Sequence, residues 1–142
     1  MVILAVDLGK VRTGLAVCDK NEILASPIGT LTEKNEEILL DKIIDKIIEF
    51  KAETVVVGLP KNMDGSIGES ALRAQKFAET LQNKANVPVN LWDERKTTVT
   101  AHEYLNKTNV RGKKRKSIID TLSASIILEN YLEFRKSCIR QN

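Results

Sequence analysis

The residues in this chain that could do chemistry are acids at three separate places: Asp7, the adjacent pair Asp93 and Glu94, and Asp120. Asp7 ends a short apolar run near the start of the chain, where an ionised carboxylate is costly to bury unless it is paired or bound to metal. Carboxylate oxygens are the ligands that Mg²⁺ and Mn²⁺ prefer. If the three places converge, they could hold two such ions about 4 Å apart, an arrangement suited to phosphodiester hydrolysis without a covalent intermediate.

Each of these acids also has a purely structural interpretation, which the residues leave open. Asp7 could be bonded to nearby backbone donors, and the Asp93–Glu94 pair could be a salt-bridged strand end. Ser117 and Asp120 have the spacing of a capping box at the start of a helix. We favour a metal-binding role for Asp120, because at helical spacing it shares a face with residues expected to pack inward: Ala124, Ile127 and Tyr131.

A run of basic residues with no acid among them lies directly before Asp120. It comprises Lys107, Arg111, Lys113, Lys114, Arg115 and Lys116. Such a run is commonly a solvated loop, but beside a carboxylate cluster it could hold the phosphates of a polyanion. Arg12 adds a cation close to Asp7 in the chain, and Lys61 and Arg95 complete the candidate nucleic-acid contacts.

The strands and helices that would position these acids follow from the hydrophobic pattern. The predicted strands are residues 2–7, 15–18, 23–31, 54–58 and 88–92, of which 23–31 is an edge strand because Pro27 and Gly29 interrupt it. The predicted helices are residues 33–51, 69–84, 97 or 98 to about 106, and 117–135, with a polar loop at 107–116. This order predicts a single α/β domain over residues 1–142 with a layered, mixed sheet.

Composition excludes several classes of protein. The chain has 142 residues, 42% hydrophobic and 29% charged, with a formal net charge of +3, as is ordinary for a soluble globular protein. No run is long enough to cross a membrane and no signal peptide is recognisable, so we expect a cytoplasmic protein. Cys18, Cys138 and the single His102 have no metal-binding spacing, which predicts free thiols and argues against a His/Cys zinc site.

Four motifs in order resemble the YqgF/RuvX family, and the resemblance extends from Val2 to about Leu132. The motifs are Asp7-Leu-Gly-Lys-Val-Arg-Thr-Gly-Leu-Ala-Val, Val57-Gly-Leu-Pro with Asp64-Gly-Ser, Asp93-Glu-Arg-Lys-Thr-Thr, and Ile119-Asp120. The members of this family are small bacterial proteins, described as Holliday-junction-resolvase-like and as nucleases that mature the ends of pre-16S ribosomal RNA. The family's usual Asp-x-x-Ala-Ala is here Asp120-Thr-Leu-Ser-Ala, a sterically mild change.

The resemblance implies an RNase H-like fold, with a five-stranded mixed sheet in the order 3-2-1-4-5 flanked by helices. It also implies a two-metal-ion endonuclease using Mg²⁺ or Mn²⁺, whose metal-binding acids are Asp7, one acid of the Asp93–Glu94 pair, and Asp120. Strand alternation sends Asp93 and Glu94 to opposite faces, so we expect only one of them to be a ligand, and alternation alone leaves open which one. We assign Glu94 to the metal site and keep both as candidate catalytic residues.

The expected substrate is nucleic acid, with the 5′ end of pre-16S rRNA as the first choice and a branched DNA junction as the alternative. A homodimer is compatible with the sequence. Two other classes stay open. One is a nucleic-acid-binding protein without catalytic activity, because the presence of acids that could bind metal does not show that the protein cleaves a substrate. The other is an actin- or sugar-kinase-like nucleotide-binding module, although those folds need two such domains and 142 residues supply one.

Overall fold

The computed structural model describes residues 1–60, 68–93 and 112–141, and in the last helix it describes the side chains of residues 122–138. In these ranges the strands are β1 (Ile3–Asp7), β2 (Arg12–Cys18), β3 (Ala25–Thr32), β4 (Thr54–Leu59) and β5 (Val89–Asp93). The helices are α1 (Glu36–Phe50), α2 (Glu69–Ala85) and α3 (Gly112–Gln141).

The strands form one mixed sheet in the order β3-β2-β1-β4-β5, as the resemblance implied. β1 pairs in parallel with β4, and β4 with β5, whereas β2 runs antiparallel to both β1 and β3. All six residues of β4 and the first four of β1 are buried, because helices cover both faces of the sheet. This double burial explains why the two strands are nearly continuous apolar runs.

β3 is an edge strand, as its proline and glycine predicted. The register of its pairing shifts between Leu15 and Ala16, which face Gly29 and Pro27 and leave Ile28 as an extra residue. Gly29 has a φ of 126°, a conformation that glycine adopts more readily than other residues. The two breaking residues therefore sit at a bulge, where a strand tolerates them.

The sheet has a separate hydrophobic core on each face. The first core lies between the sheet and helices α1 and α2, and it includes Leu4, Val6 and Leu59. The second core lies between the sheet and α3, and it includes Ala5 and Trp92. Since successive strand residues alternate between these cores, each strand position can be assigned to one face.

The last helix, α3, begins earlier in the chain than the sequence predicted. α3 begins at Gly112 and not at Ser117, so the loop predicted at residues 107–116 is wrong from Gly112 onward. Lys113–Lys116 carry no apolar periodicity, and for this reason their helical backbone was missed. The helix predicted from Thr97 or Thr98 to Asn106 lies outside the described residues.

An ion pair fixes the C-terminal part of α3 to the turn between β2 and β3. Nε of Arg135 donates to Oε1 of Glu22 at 2.5 Å, and the amino group of Met1 donates to Oε2 of Glu22 at 3.1 Å. The hydrogen bond from Arg135 lowers the pKa of the Glu22 carboxyl, and the Met1 amino group lowers it further. Among the described helices, none is both long enough and apolar enough to cross a membrane.

We expect Glu22→Gln to destabilise the protein by about 1–2 kcal/mol at pH 7, because it removes a charge-assisted, partly buried contact. Since folding lowers the Glu22 pKa, this stabilisation is present above the carboxyl's unfolded pKa and is lost as pH falls through its folded pKa. Urea unfolding at pH 7 and pH 3 should therefore show a wild-type advantage that shrinks in acid. Glu79→Gln, on the exposed side of α2, is the control, and an equal effect of both changes would contradict the assignment.

Candidate functional site

The carboxyl ends of the three parallel strands meet at one edge of the sheet. Asp7, Leu59 and Asp93 are the last residues of β1, β4 and β5. Val6 pairs with Val57 and Gly58 pairs with Trp92, so these strand ends are nearly level. Ligand sites of open α/β sheets lie at this kind of edge. Asp7 follows four residues that are fully buried and is itself only partly buried, so its carboxylate stands where the central strand reaches solvent.

Strand alternation separates Asp93 from Asp7. Asp7 follows Val6 of the first core, so its side chain is directed to the α3 face of the sheet. Asp93 pairs with Leu59 of the first core and follows Trp92 of the second, so it is directed to the opposite face. Alternation thus favours Glu94 over Asp93 as the partner of Asp7. Glu94 lies outside the described residues, and its role stays a prediction.

Asp120 lies in α3 one turn before Ala124, on the stripe that continues through buried Ile127 and Leu128 of the second core. Because α3 begins at Gly112, Ser117 is not an N-cap and Asp120 is past the first turn, so the capping-box interpretation is wrong. The side chain of Asp120 itself is not described.

The direction of α3 brings the Asp120 position toward the edge that carries Asp7. Arg135 is held at the opposite edge, beside Met1. From Arg135 back to Asp120 the helix covers about 22 Å, and from Met1 to Asp7 the strand covers about 20 Å. The backbone of Asp120 is therefore expected near the level of Asp7, on the face to which Asp7 is directed.

The predicted basic contacts are described only in part. Arg12 is the first residue of β2 and, by alternation with Ala16 and Cys18, belongs to the same face as Asp7. Lys113–Lys116 lie in the first turns of α3, upstream of Asp120. Lys61, Lys107, Arg95 and Arg111 lie outside the described residues.

A cavity of about 240 Å³ opens beside Asp7, between the ends of β1 and β4 and the start of α2. Its charged and polar lining includes Lys10, Ser70 and Arg73. Nη1 of Arg73 donates to the carbonyl oxygen of Gly9 at 2.9 Å, and Nε donates to Oε1 of Glu36 at 2.5 Å. Sequence reasoning missed Arg73, because no local pattern links it to partners that lie far away in the chain.

The loop from Asp7 to β2 is folded tightly. A Cβ added at Gly9 would lie 2.0 Å from the carbonyl oxygen of Arg12, so only glycine fits there without a backbone shift. The carbonyl of Val11 accepts a hydrogen bond from the Glu33 amide at 2.8 Å. Asp7 is thus followed by a loop whose path is closely constrained.

The chemistry available at this edge is that of carboxylates and cations. Asp7 offers hard oxygen donors, which fit Mg²⁺ or Mn²⁺, whereas Cys18 is buried in the second core at the other end of β2. Within the described residues, no three His, Cys, Asp or Glu side chains form a metal-binding group. Two of the three predicted ligands, Glu94 and Asp120, have side chains outside that part of the chain.

A family model described as "RuvX: Holliday junction resolvase" matches residues 1–134. The chain belongs to the RuvX family. Members of this family are Holliday-junction-resolvase-like nucleases. Relatives named "Putative pre-16S rRNA nuclease" include one from Halothermothrix orenii, 40% identical, covering 95% of this chain and 96% of its own. Another, from Geobacillus sp., is 39% identical and covers 96% of this chain and 100% of its own.

Solved structures of resolvases share the fold. RuvC of T. thermophilus, in complex with a Holliday junction substrate, superimposes with a TM-score of 0.62 at 15% identity, covering 95% of this chain and 96% of its own. The fowlpox virus resolvase, also bound to Holliday junction DNA, superimposes with a TM-score of 0.53 at 13% identity. The match covers 95% of this chain and 99% of the resolvase chain. At these identities the likeness confirms the RNase H-like fold alone.

We expect Gly9→Ala to cost about 1–3 kcal/mol of stability, because the new methyl group would force the backbone of the loop away from Arg12. Chemical unfolding measures the loss. Lys10→Ala, at an exposed position of the same loop, should stay within about 0.5 kcal/mol of wild type. If Gly9→Ala is as stable as the Lys10→Ala control, the loop can accommodate a Cβ at position 9, and the close approach to Arg12 is not a constraint.

Proposed function

We propose that this protein is a two-metal-ion endonuclease that processes the 5′ end of pre-16S rRNA. The observation that carries the proposal is the position of Asp7: a carboxylate at the open end of a buried central strand, on the face toward which α3 brings Asp120. Membership of a nuclease family supports the reaction class. The names of relatives about 40% identical over nearly the whole chain support the substrate.

In the proposed mechanism, Asp7, Glu94 and Asp120 would hold the divalent ions through their carboxylate oxygens. Two Mg²⁺ or Mn²⁺ ions held there would supply an activated water and stabilisation of the leaving oxygen of the phosphodiester. Arg12 and the basic residues Lys113–Lys116 bind backbone phosphates on either side of the cleaved bond, with Lys61, Arg95 and Arg111 as further contacts. Because alternation directs Asp93 to the other face of β5, the proposal places it outside the metal site.

Branched DNA is the second candidate substrate, and the description of the family model favours it. Both substrates are polyanions with a fixed shape, so a carboxylate centre flanked by cations suits either. A cytoplasmic location is part of the proposal, since the RNA precursor of the first choice is made there in bacteria. A homodimer belongs to the branched-DNA alternative, because a junction presents two equivalent strands to be cut.

We expect Asp7→Asn to abolish cleavage while the protein stays folded, because loss of one ligand removes several kcal/mol of transition-state stabilisation. The assay uses labelled pre-16S rRNA and a labelled four-way junction, each with Mg²⁺ or Mn²⁺, and circular dichroism reports folding. Wild type should cut the RNA precursor faster than the junction. The matched control is Asp41→Asn, which changes an exposed acid of α1.

Four outcomes would overturn parts of this proposal. A folded Asp7→Asn protein that cuts at the wild-type rate would remove Asp7 from the metal site. Faster cleavage of the junction would make branched DNA the substrate. Tight binding without cleavage of either substrate would identify a non-catalytic nucleic-acid-binding protein. Binding of ATP, measured by calorimetry, would instead favour the nucleotide-binding module.

The basic turns of α3, residues Lys113–Lys116, should determine the affinity for the substrate and not the rate of the cleavage step. Replacing Lys113, Lys114, Arg115 and Lys116 with Gln, which suits a helix, should weaken RNA binding and lower its salt dependence by about one unit of slope per lost phosphate contact. Salt titrations are made in the Asp7→Asn background, so that binding is measured without cleavage. The same substitution at exposed lysines elsewhere serves as control: Lys20, Lys34, Lys76 and Lys84. An equal slope for both quadruple variants would mean that the basic turns do not touch the substrate.

A further inference from the structure

One side chain of α2 ties together three parts of the chain beside Asp7. Nη1 of Arg73 donates to the carbonyl of Gly9, in the loop that follows β1, and Nε donates to Glu36, in the first turn of α1. The Arg73 side chain is 28% exposed and lines the same cavity as Asp7. A single guanidinium thus joins α2, α1 and the loop.

The contact with Gly9 acts on the loop that directly follows Asp7. Gly9 is two residues after Asp7, and its carbonyl is oriented by Arg73, while the Val11 carbonyl is held by the Glu33 amide. The loop packs closely on itself here, since a Cβ added at Gly9 would lie 2.0 Å from the carbonyl oxygen of Arg12. With both carbonyls engaged, the loop is held against the helical face of the domain, and the end of β1 has little freedom to turn.

Only arginine fits both partners at once. Its planar fork presents separate N–H groups in fixed directions, here one to a carboxylate and one to a backbone carbonyl. A lysine at position 73 would keep the charge but offers one ammonium at the end of a flexible stem, so it cannot reproduce both contacts in the same geometry.

We propose that Arg73 is a positioning residue that sets the affinity of the Asp7 site for divalent metal, by fixing the loop that leaves Asp7. This inference rests on the proposed function of Asp7 as a metal ligand. Groups that orient metal ligands without touching the metal commonly change metal affinity by about 10–100-fold when they are removed. Arg73 makes such a contact one step removed from the carboxylate, through the backbone of Gly9.

A direct contact between Arg73 and a substrate phosphate is the competing interpretation. Nε and Nη1 are already engaged by Glu36 and Gly9, so binding a phosphate through them would require breaking those hydrogen bonds. The two interpretations differ in what they predict: positioning changes metal affinity in the absence of nucleic acid, whereas phosphate contact changes nucleic-acid affinity.

The test compares Arg73→Gln and Arg73→Lys with Lys76→Gln, which removes an equal charge from an exposed position one turn further along α2. Three quantities are measured on the full chain: amide hydrogen exchange of residues 8–11 without metal, Mn²⁺ affinity by calorimetry, and RNA affinity without metal. We expect Arg73→Gln to speed exchange in the loop and weaken Mn²⁺ binding about tenfold or more, with RNA affinity unchanged within twofold. Arg73→Lys should be intermediate, and Lys76→Gln should match wild type.

The inference is overturned if Arg73→Gln leaves the loop exchange unchanged. It is also overturned if wild type binds Mn²⁺ and Arg73→Gln binds it with the same affinity. A loss of RNA affinity with Mn²⁺ binding intact would assign Arg73 to phosphate contact instead. Asp7→Asn, titrated with Mn²⁺ in parallel, separates this failure from that of the proposed function. If wild type and Asp7→Asn bind Mn²⁺ equally, Asp7 is not a ligand, the proposed function fails there, and the metal-affinity role of Arg73 fails with it, whatever the loop exchange shows.

Discussion

A buried strand that ends on a carboxylate is the constraint on which the rest of this structure depends. Ile3–Val6 are completely buried, and the partly buried Asp7 follows at once. A charge at that position needs polar or ionic partners, because desolvating a carboxylate without them is expensive. The remainder of the fold is arranged so that this charge stands at an open edge: the parallel strands end there, and the tight loop leads the chain away from it.

The helices on the two faces of the sheet make different contributions to the edge that carries Asp7. On one face, α1 and α2 close the first core and meet at the ion pair between Arg73 and Glu36, which also reaches the loop after Asp7. On the other face, α3 is anchored at the far edge by Arg135 and Glu22, so that its earlier turns, with Asp120 and the basic residues, extend toward Asp7. The proposed mechanism depends on both faces, because one would orient Asp7 and the other would bring Asp120 to it.

The sequence predicted those features that rest on local hydrophobic patterns and missed those that lack such a pattern or rest on distant contacts. β1 and β4 were predictable because burial on both faces makes a strand uniformly apolar, and β3 because its proline and glycine are tolerated only at an edge. The start of α3 was missed because Lys113–Lys116 have no apolar periodicity, and the capping-box pattern at Ser117 can also occur inside a helix. Arg73 had no detectable signal, because Gly9 and Glu36 lie 64 and 37 residues away from it. Alternation, a local rule, separates Asp93 from Glu94, but the choice between them also needs the pairing of β5 with β4, and the proposed metal-binding role of Asp120 needs the direction of α3.

The central claim is that acids from the first strand, the region after the last strand and the last helix share one pair of metal ions. Anomalous scattering from crystals of the wild-type protein soaked in Mn²⁺ tests it most directly. We expect two peaks about 4 Å apart, with carboxylate oxygens of Asp7, Glu94 and Asp120 at about 2.1 Å from at least one of them. Manganese bound elsewhere with none at Asp7, or bound at Asp7 with Asp120 directed away from it, would contradict the claim.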